Sequence, residues 1–165
     1  MGPTRIAVTF DPSPRKARGK AREVFREAMR DQATSWHRNY APRHFARGAR
    51  SRYGYRRRSP NYERRKSRLI AAGRVQGPRR DLIYTGLTMR KMRGAAQIKA
   101  FPTRARITMF TPSYVRIRPR GNRPNLHDEL TRVATEEKQS LGEMLGLAVD
   151  RGLRRIKAPK TVTTG

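Results

Sequence analysis

Residues 104–111 read Arg104-Ala105-Arg106-Ile107-Thr108-Met109-Phe110-Thr111. Ala105, Ile107, Met109 and Thr111 alternate with Arg104, Arg106, Thr108 and Phe110. A period of two puts the first set on one face and the second on the other, as in a strand with one side toward a core. Residues 95–101 precede it, with Pro102-Thr103 between, so the pair reads as two strands joined by a short turn. Near the N-terminus Arg5-Ile6-Ala7-Val8-Thr9-Phe10 alternates in the same way and is closed by Asp11-Pro12-Ser13-Pro14. Tyr114, Val115 and Ile117 suggest a further strand, ended by Pro119-Arg120-Gly121-Asn122.

Helical periodicity flanks these strands. Ala21, Val24, Phe25, Ala28, Met29, Ala33 and Trp36 form an i, i+3, i+4, i+7 stripe, which predicts a helix over 17–37. Glu23, Glu27 and Asp31 recur on its other side, near Arg26 and Arg30. A second long helix is expected over 125–156. Asn125 is its N-cap, Asp128 and Glu129 lie in its first turn, and Leu130, Val133, Leu141, Met144, Leu145, Ala148 and Val149 are its buried stripe. Gly142, Gly146 and Gly152 each weaken that helix by up to ~1 kcal/mol relative to Ala, unless close packing or a bend needs them.

Charge distinguishes the chain most. Its 165 residues hold 40 Lys+Arg against 12 Asp+Glu, a net charge of +28. Between Gln32 and His127 the acids are Glu63 and Asp81 alone. Residues 38–80 concentrate the arginines among Tyr40, Phe45, Tyr53, Tyr55 and Tyr62, and are broken by Pro42, Gly48, Gly54, Pro60, Gly73, Gly77 and Pro78. The breakers predict an extended Arg-rich loop, with one short helix over 60–71 started by Ser59 and Pro60. Solvated faces normally mix both signs, so this block reads as a contact for a polyanion or an acidic protein surface. Arg50, Arg52, Arg56, Arg57, Arg58, Arg64, Arg65 and Lys66 are the candidate contacts. Residues 82–86 are read as an apolar strand or turn, followed by one or two helical turns to residue 92.

Enzyme classes find little support. His37, His44 and His127 have no metal-ligand spacing, and no carboxylate is expected to pair with them. Acids to serve as general base or Mg²⁺ ligand are nearly missing from the middle of the chain, and there is no Gly-rich phosphate loop with Lys. The expectation is a non-catalytic protein without cofactor or metal. The chain lacks cysteine and lacks any run of eighteen apolar residues, so no membrane span is expected. Residues 1–10 carry neither the apolar core of a secretory signal nor the helical pattern of a presequence.

The order of motifs in 55–115 resembles that of the phage virion-morphogenesis family, small head–tail joining or tail-completion proteins of tailed phages. The matching residues are Tyr55, then Ser59-Pro60 and Tyr62 opening a short helix, then Leu82-Ile83-Tyr84-Thr85-Gly86-Leu87, then Pro112-Ser113-Tyr114-Val115. Where that family often has Trp and Leu, this chain has Tyr55 and Arg57. Tyr55, Ser59, Pro60, Tyr62, Thr85, Gly86 and Tyr114 are the motif positions, and Thr85-Gly86 is read as a tight turn where backbones approach. The resemblance implies a structural virion protein, assembled in the host cytoplasm. It would form a homo-oligomeric ring, a hexamer or dodecamer, around the DNA channel. Its partners would be portal, adaptor or tail-tube proteins, and genomic DNA held without sequence recognition.

The expected fold is α+β: a small antiparallel sheet packed against a long N-terminal helix and a long C-terminal helix, with an extended Arg-rich loop. One domain spans 1–157, with the Arg-rich loop at 38–80 and a flexible tail at 158–165. The rival function is an RNA-binding ribosomal or ribosome-associated protein, which accounts for the charge equally well but not for the ordered motif.

Overall fold

The computed structural model describes residues 4–10, 19–75, 82, 86–116 and 124–157. Within them the architecture is α+β. The alternating stretch 104–111 forms β3 (Ala105–Thr111), the central strand of a three-stranded antiparallel sheet. On one side it pairs with β2 (Ala96–Ala100), on the other with β1 (Thr4–Phe10). Ile107 is thus registered between Val8 and Ile98, and Arg106 between Thr9 and Lys99. The β2–β3 hairpin turns through Phe101–Arg104, where the Phe101 amide donates to the Arg104 carbonyl at 2.8 Å.

The inner face of β3 is fully buried: Ala105, Ile107, Met109 and Thr111 are at or below 1% exposure. Helix α1 (Lys20–Ser35) covers it with Met29 and Ala33, and α4 (Leu87–Arg93) adds Met92. The α1 pattern continues past its end as one π-helical turn, Trp36–Tyr40, and a 3₁₀ turn, Ala41–Phe45. The wider turn carries the buried Trp36 into the same core as Phe45. His37 fixes this corner to α4 by a 2.9 Å hydrogen bond from its Nε2 to the Met92 carbonyl.

Gly86 takes a positive φ of 73° as the residue before α4. A Cβ there meets nothing nearer than the Arg90 guanidinium at 3.8 Å. Its requirement is therefore the left-handed backbone, rather than the close backbone approach expected from the sequence. Thr85, the other half of that motif, lies outside the described residues.

The long C-terminal helix is broken in two. Helix α5 (Leu126–Leu130) is capped by Asn125, whose side chain accepts from the His127 and Asp128 amides. Helix α6 runs Thr135–Lys157. Between them Arg132 is pulled off the helical path and donates to the Tyr53 and Gly54 carbonyls at 3.0 and 2.5 Å. Glu137 then restarts the helix by accepting from the Ala134 amide at 3.2 Å, the backward half of a capping box. An apolar stripe that runs through 130–149 masked this restart, because leucine periodicity is blind to a tertiary tie.

Helix α6 packs along α1. Gln32, buried on α1, donates to the Leu141 carbonyl at 3.1 Å. At Gly152 a Cβ would sit 2.4 Å from Val24 Cγ1, so this glycine is the close-packing point of the helix pair. Gly142 and Gly146 face open space.

Two further expectations need correction. Residues 113–116, expected as a strand, form a 3₁₀ turn, and Ile117 lies outside the described residues. Pro112 precedes the turn and the Val115 amide bonds back to its carbonyl at 3.1 Å, a local closure that competes with strand pairing. The Arg-rich block is mostly helical rather than an extended loop. It carries the Trp36–Phe45 turns, α2 (Ala49–Tyr53) and α3 (Pro60–Ala71). Pro42 and Pro60 sit in the first turns of their helices, where a missing N–H costs nothing. The breakers therefore punctuate short helices, and an apolar and aromatic set (Ala41, Phe45, Ala49, Tyr53, Tyr55) anchors them.

Candidate polyanion interface

Helix α2 ends at Gly54, and the chain then runs extended to Ser59, which caps α3 by accepting from the Tyr62 amide at 3.3 Å. This places Tyr53 and Tyr55 on one buried stack with His44. The His44 and Tyr53 rings lie 3.9 Å apart at 10°, and Tyr53 and Tyr55 are 5.6 Å apart at 18°. Trp36 meets His44 edge-on at 6.0 Å. The Tyr53 hydroxyl donates to Glu137 Oε1, and the Tyr55 hydroxyl is bonded to His44 Nδ1.

Two carboxylates are drawn inside to hold this block. Glu129 is 2% exposed and takes both arms of the Arg58 guanidinium, at 3.2 and 2.5 Å, plus the Arg56 amide at 3.2 Å. Glu137 is 1% exposed and takes the Tyr53 hydroxyl and the Ala134 amide. Full pairing of this kind is what makes buried carboxylates tolerable. Burial holds the His44 imidazole neutral, its pKa lowered to about 4. The backbone carbonyls of Glu129 and Arg132 oppose this more weakly. Burial likewise raises Tyr53 and Tyr55, the Glu137 hydrogen bond adding to the first and the charge of neighbouring Tyr53 to the second.

The candidate contacts therefore divide. Arg52, Arg56, Arg57, Arg64 and Arg65 are exposed. Arg50 is half-buried beside Glu63 at 3.5 Å. Arg58 and Lys66, expected as polyanion contacts, are 9% and 6% exposed and belong to the interior. For Arg58 the reason is the Glu129 carboxylate, placed opposite it by the short α5. Sequence gave no signal for that pairing, since the partners are 71 residues apart.

The motif positions also divide. Tyr55 is buried, Ser59 and Pro60 open α3 at the surface, and Tyr62 is half-buried. Tyr114 is 43% exposed, with its hydroxyl 2.6 Å from Thr88 Oγ1, so it ties the turn after β3 to α4.

A second basic surface was legible but not singled out. The alternation of β3 puts Arg104 and Arg106 outward, and β2 adds Gln97 and Lys99. Phe101 at the hairpin turn is 45% exposed, with the Arg104 guanidinium 5.2 Å above its ring. Among the described residues none of Lys99, Arg104 or Arg106 has a carboxylate partner. Among them, too, no three His, Asp or Glu side chains gather as metal ligands, and no helix is long and apolar enough to cross a membrane.

No protein-family model, no curated protein and no solved structure matches this chain.

Proposed function

We propose that this chain is a structural protein of a tailed-phage virion, joining head to tail by assembling as a ring around the DNA channel. Its work is binding rather than catalysis. The observation that carries the binding part is the division of charge. Glu129 and Glu137 are spent inside, while Arg52 on α2, Arg56 and Arg57 between the helices, and Arg64 and Arg65 on α3 stand outside on a block fixed by that buried cluster. An exterior so short of acids repels its own copies unless a polyanion or acidic neighbour compensates. A channel filled with DNA supplies that compensation without sequence reading, because phosphates can be screened by any well-placed cation.

The virion part rests on the ordered motif from Tyr55 to Tyr114, and on an α+β body small enough to serve as one ring segment. Sedimentation of the purified protein at ~0.5 M salt, where charge attraction is screened, tests it. A defined oligomer of the 19.0 kDa subunit is expected. A monomer that binds structured RNA tightly under the same conditions would replace this reading with the ribosomal one.

A further inference from the structure

We infer that the outer face of the β2–β3 hairpin, built from Lys99, Arg104 and Arg106, is the surface that holds duplex DNA by its phosphate backbone. This deepens the proposed function and rests on it. The surface differs from the arginine-rich helices, which carry most of the charge.

Three observations converge there. First, Lys99 and Arg106 are direct cross-strand partners, and both are exposed. Like charges placed opposite one another destabilise a sheet, and among the described residues no carboxylate relieves them. A phosphate seated between two such cations removes the repulsion. Second, Arg104 is held over the Phe101 ring, which fixes a long side chain in place before any ligand arrives. Third, the hairpin's own stretch of chain is acid-free: from Leu82 to His127 the sequence has no Asp or Glu, while α4 contributes Arg90, Lys91 and Arg93 just before β2.

Three arginines of the helical block are already engaged. Arg58 is buried on Glu129, Arg50 stands beside Glu63, and Arg64 donates to Asn61 Oδ1 at 2.8 Å. Duplex is favoured over single-stranded nucleic acid because the face offers no free aromatic platform. Among the described residues its exposed ring is Phe101, which already carries Arg104 on it. Gln97 and Thr108, registered across from each other, supply neutral hydrogen-bonding groups alongside the cations.

The test compares two variants of the full chain that lose equal charge. One is Lys99→Gln/Arg104→Gln/Arg106→Gln on the hairpin; the other is Arg57→Gln/Arg64→Gln/Arg65→Gln in the helical block. Affinity for a fluorescent 30-base-pair duplex of arbitrary sequence is measured from ~50 to ~300 mM salt. The sheet variant is expected to lose at least ~10-fold in affinity, with the salt slope falling by roughly 2–3, and the helical variant to lose far less. Equal losses, or a larger loss in the helical variant, would overturn the assignment. So would tighter binding of the wild-type protein to the matching single strand.

A second variant separates binding from folding. Lys99→Glu creates an opposite-charge pair with Arg106, so Tm is expected to rise by roughly 1–3 °C while DNA affinity falls. Unchanged affinity in a folded Lys99→Glu protein would also overturn the inference. If the wild-type protein binds no duplex yet still forms a ring at ~0.5 M salt, the DNA surface is refuted. The joining role through acidic protein neighbours then stands.

Discussion

The Arg58 guanidinium lies flat against the Glu129 carboxylate, both arms engaged and both residues nearly without solvent. Glu129 also accepts the Arg56 amide, so one carboxylate fixes a side chain and the backbone before α3. Removing either partner leaves a buried charge uncompensated. Glu129→Ala and Arg58→Ala are each expected to cost about 3–5 kcal/mol in urea unfolding. Arg57→Ala, on the exposed neighbour, is expected to change stability by less than ~0.5 kcal/mol. Replacing both buried partners together, Arg58→Met with Glu129→Leu, should recover much of the loss.

The contact of Gly152 with Val24 gives a second expectation, of opposite sign along one helix. Gly152→Ala forces a methyl into Val24 and is expected to destabilise by about 1–3 kcal/mol. Gly142→Ala and Gly146→Ala meet open space and should each stabilise by up to ~1 kcal/mol. Thermal unfolding of the three single variants reads this directly. Val24→Ala in the Gly152→Ala background should restore part of the loss.

Buried His44 makes stability depend on pH. In the folded chain its pKa is lowered from 6.5 to about 4, so the native ring stays neutral where the unfolded ring takes a proton. Above pH 6.5 both states are neutral and the full stability is present. As pH falls from 6.5 toward 4 the unfolded state gains protons first, and stability drops by on the order of 3 kcal/mol. Denaturation midpoints between pH 8 and 4 measure the slope, and His44→Gln should flatten it while lowering stability at pH 8.

The Tyr53 hydroxyl and Glu137 form a buried tie between the arginine block and α6. Tyr53→Phe removes a donor that the buried carboxylate needs, at an expected cost of about 1–3 kcal/mol. A double-mutant cycle with Glu137→Ala should show coupling of about 0.5–3 kcal/mol. Additive losses would mean that the hydroxyl and the carboxylate act separately.

The sequence carried the three strands of the sheet, α1 and the two-faced pattern of β3, because period-two and period-3.6 hydrophobicity report burial directly; it did not carry the turn at Ser113–Arg116, whose residues were expected in a strand. It also carried Ser59 and Asn125 as caps, since capping depends on residues within one turn. It did not carry the break before Thr135 or the fate of Arg58. Both depend on contacts across 71 to 79 residues, from Glu129 to Arg58 and from Arg132 to Tyr53 and Gly54, which hydrophobic periodicity does not register. In hindsight Thr135-Glu136-Glu137 reads as a helix start, with acids in the first turn and one placed to reach back. The Gly and Pro residues of 38–80 were read as loop formers, whereas a short helix also needs its ends marked. Of the candidate contacts, exposure follows charge density only until a buried acid intervenes.

The central claim is that the arginine block is a rigid cationic surface, fixed to the body before any partner binds. Native-state hydrogen exchange of the free protein at ~0.5 M salt, read by mass spectrometry across residues 41–66, tests this most directly. Protection across that segment should approach that of α1 and α6, with the Arg56 amide among the slow sites because it is bonded to Glu129. Exchange of 41–66 within seconds, with protection gained only when duplex DNA is added, would contradict it and return the block to an arm that orders on its partner.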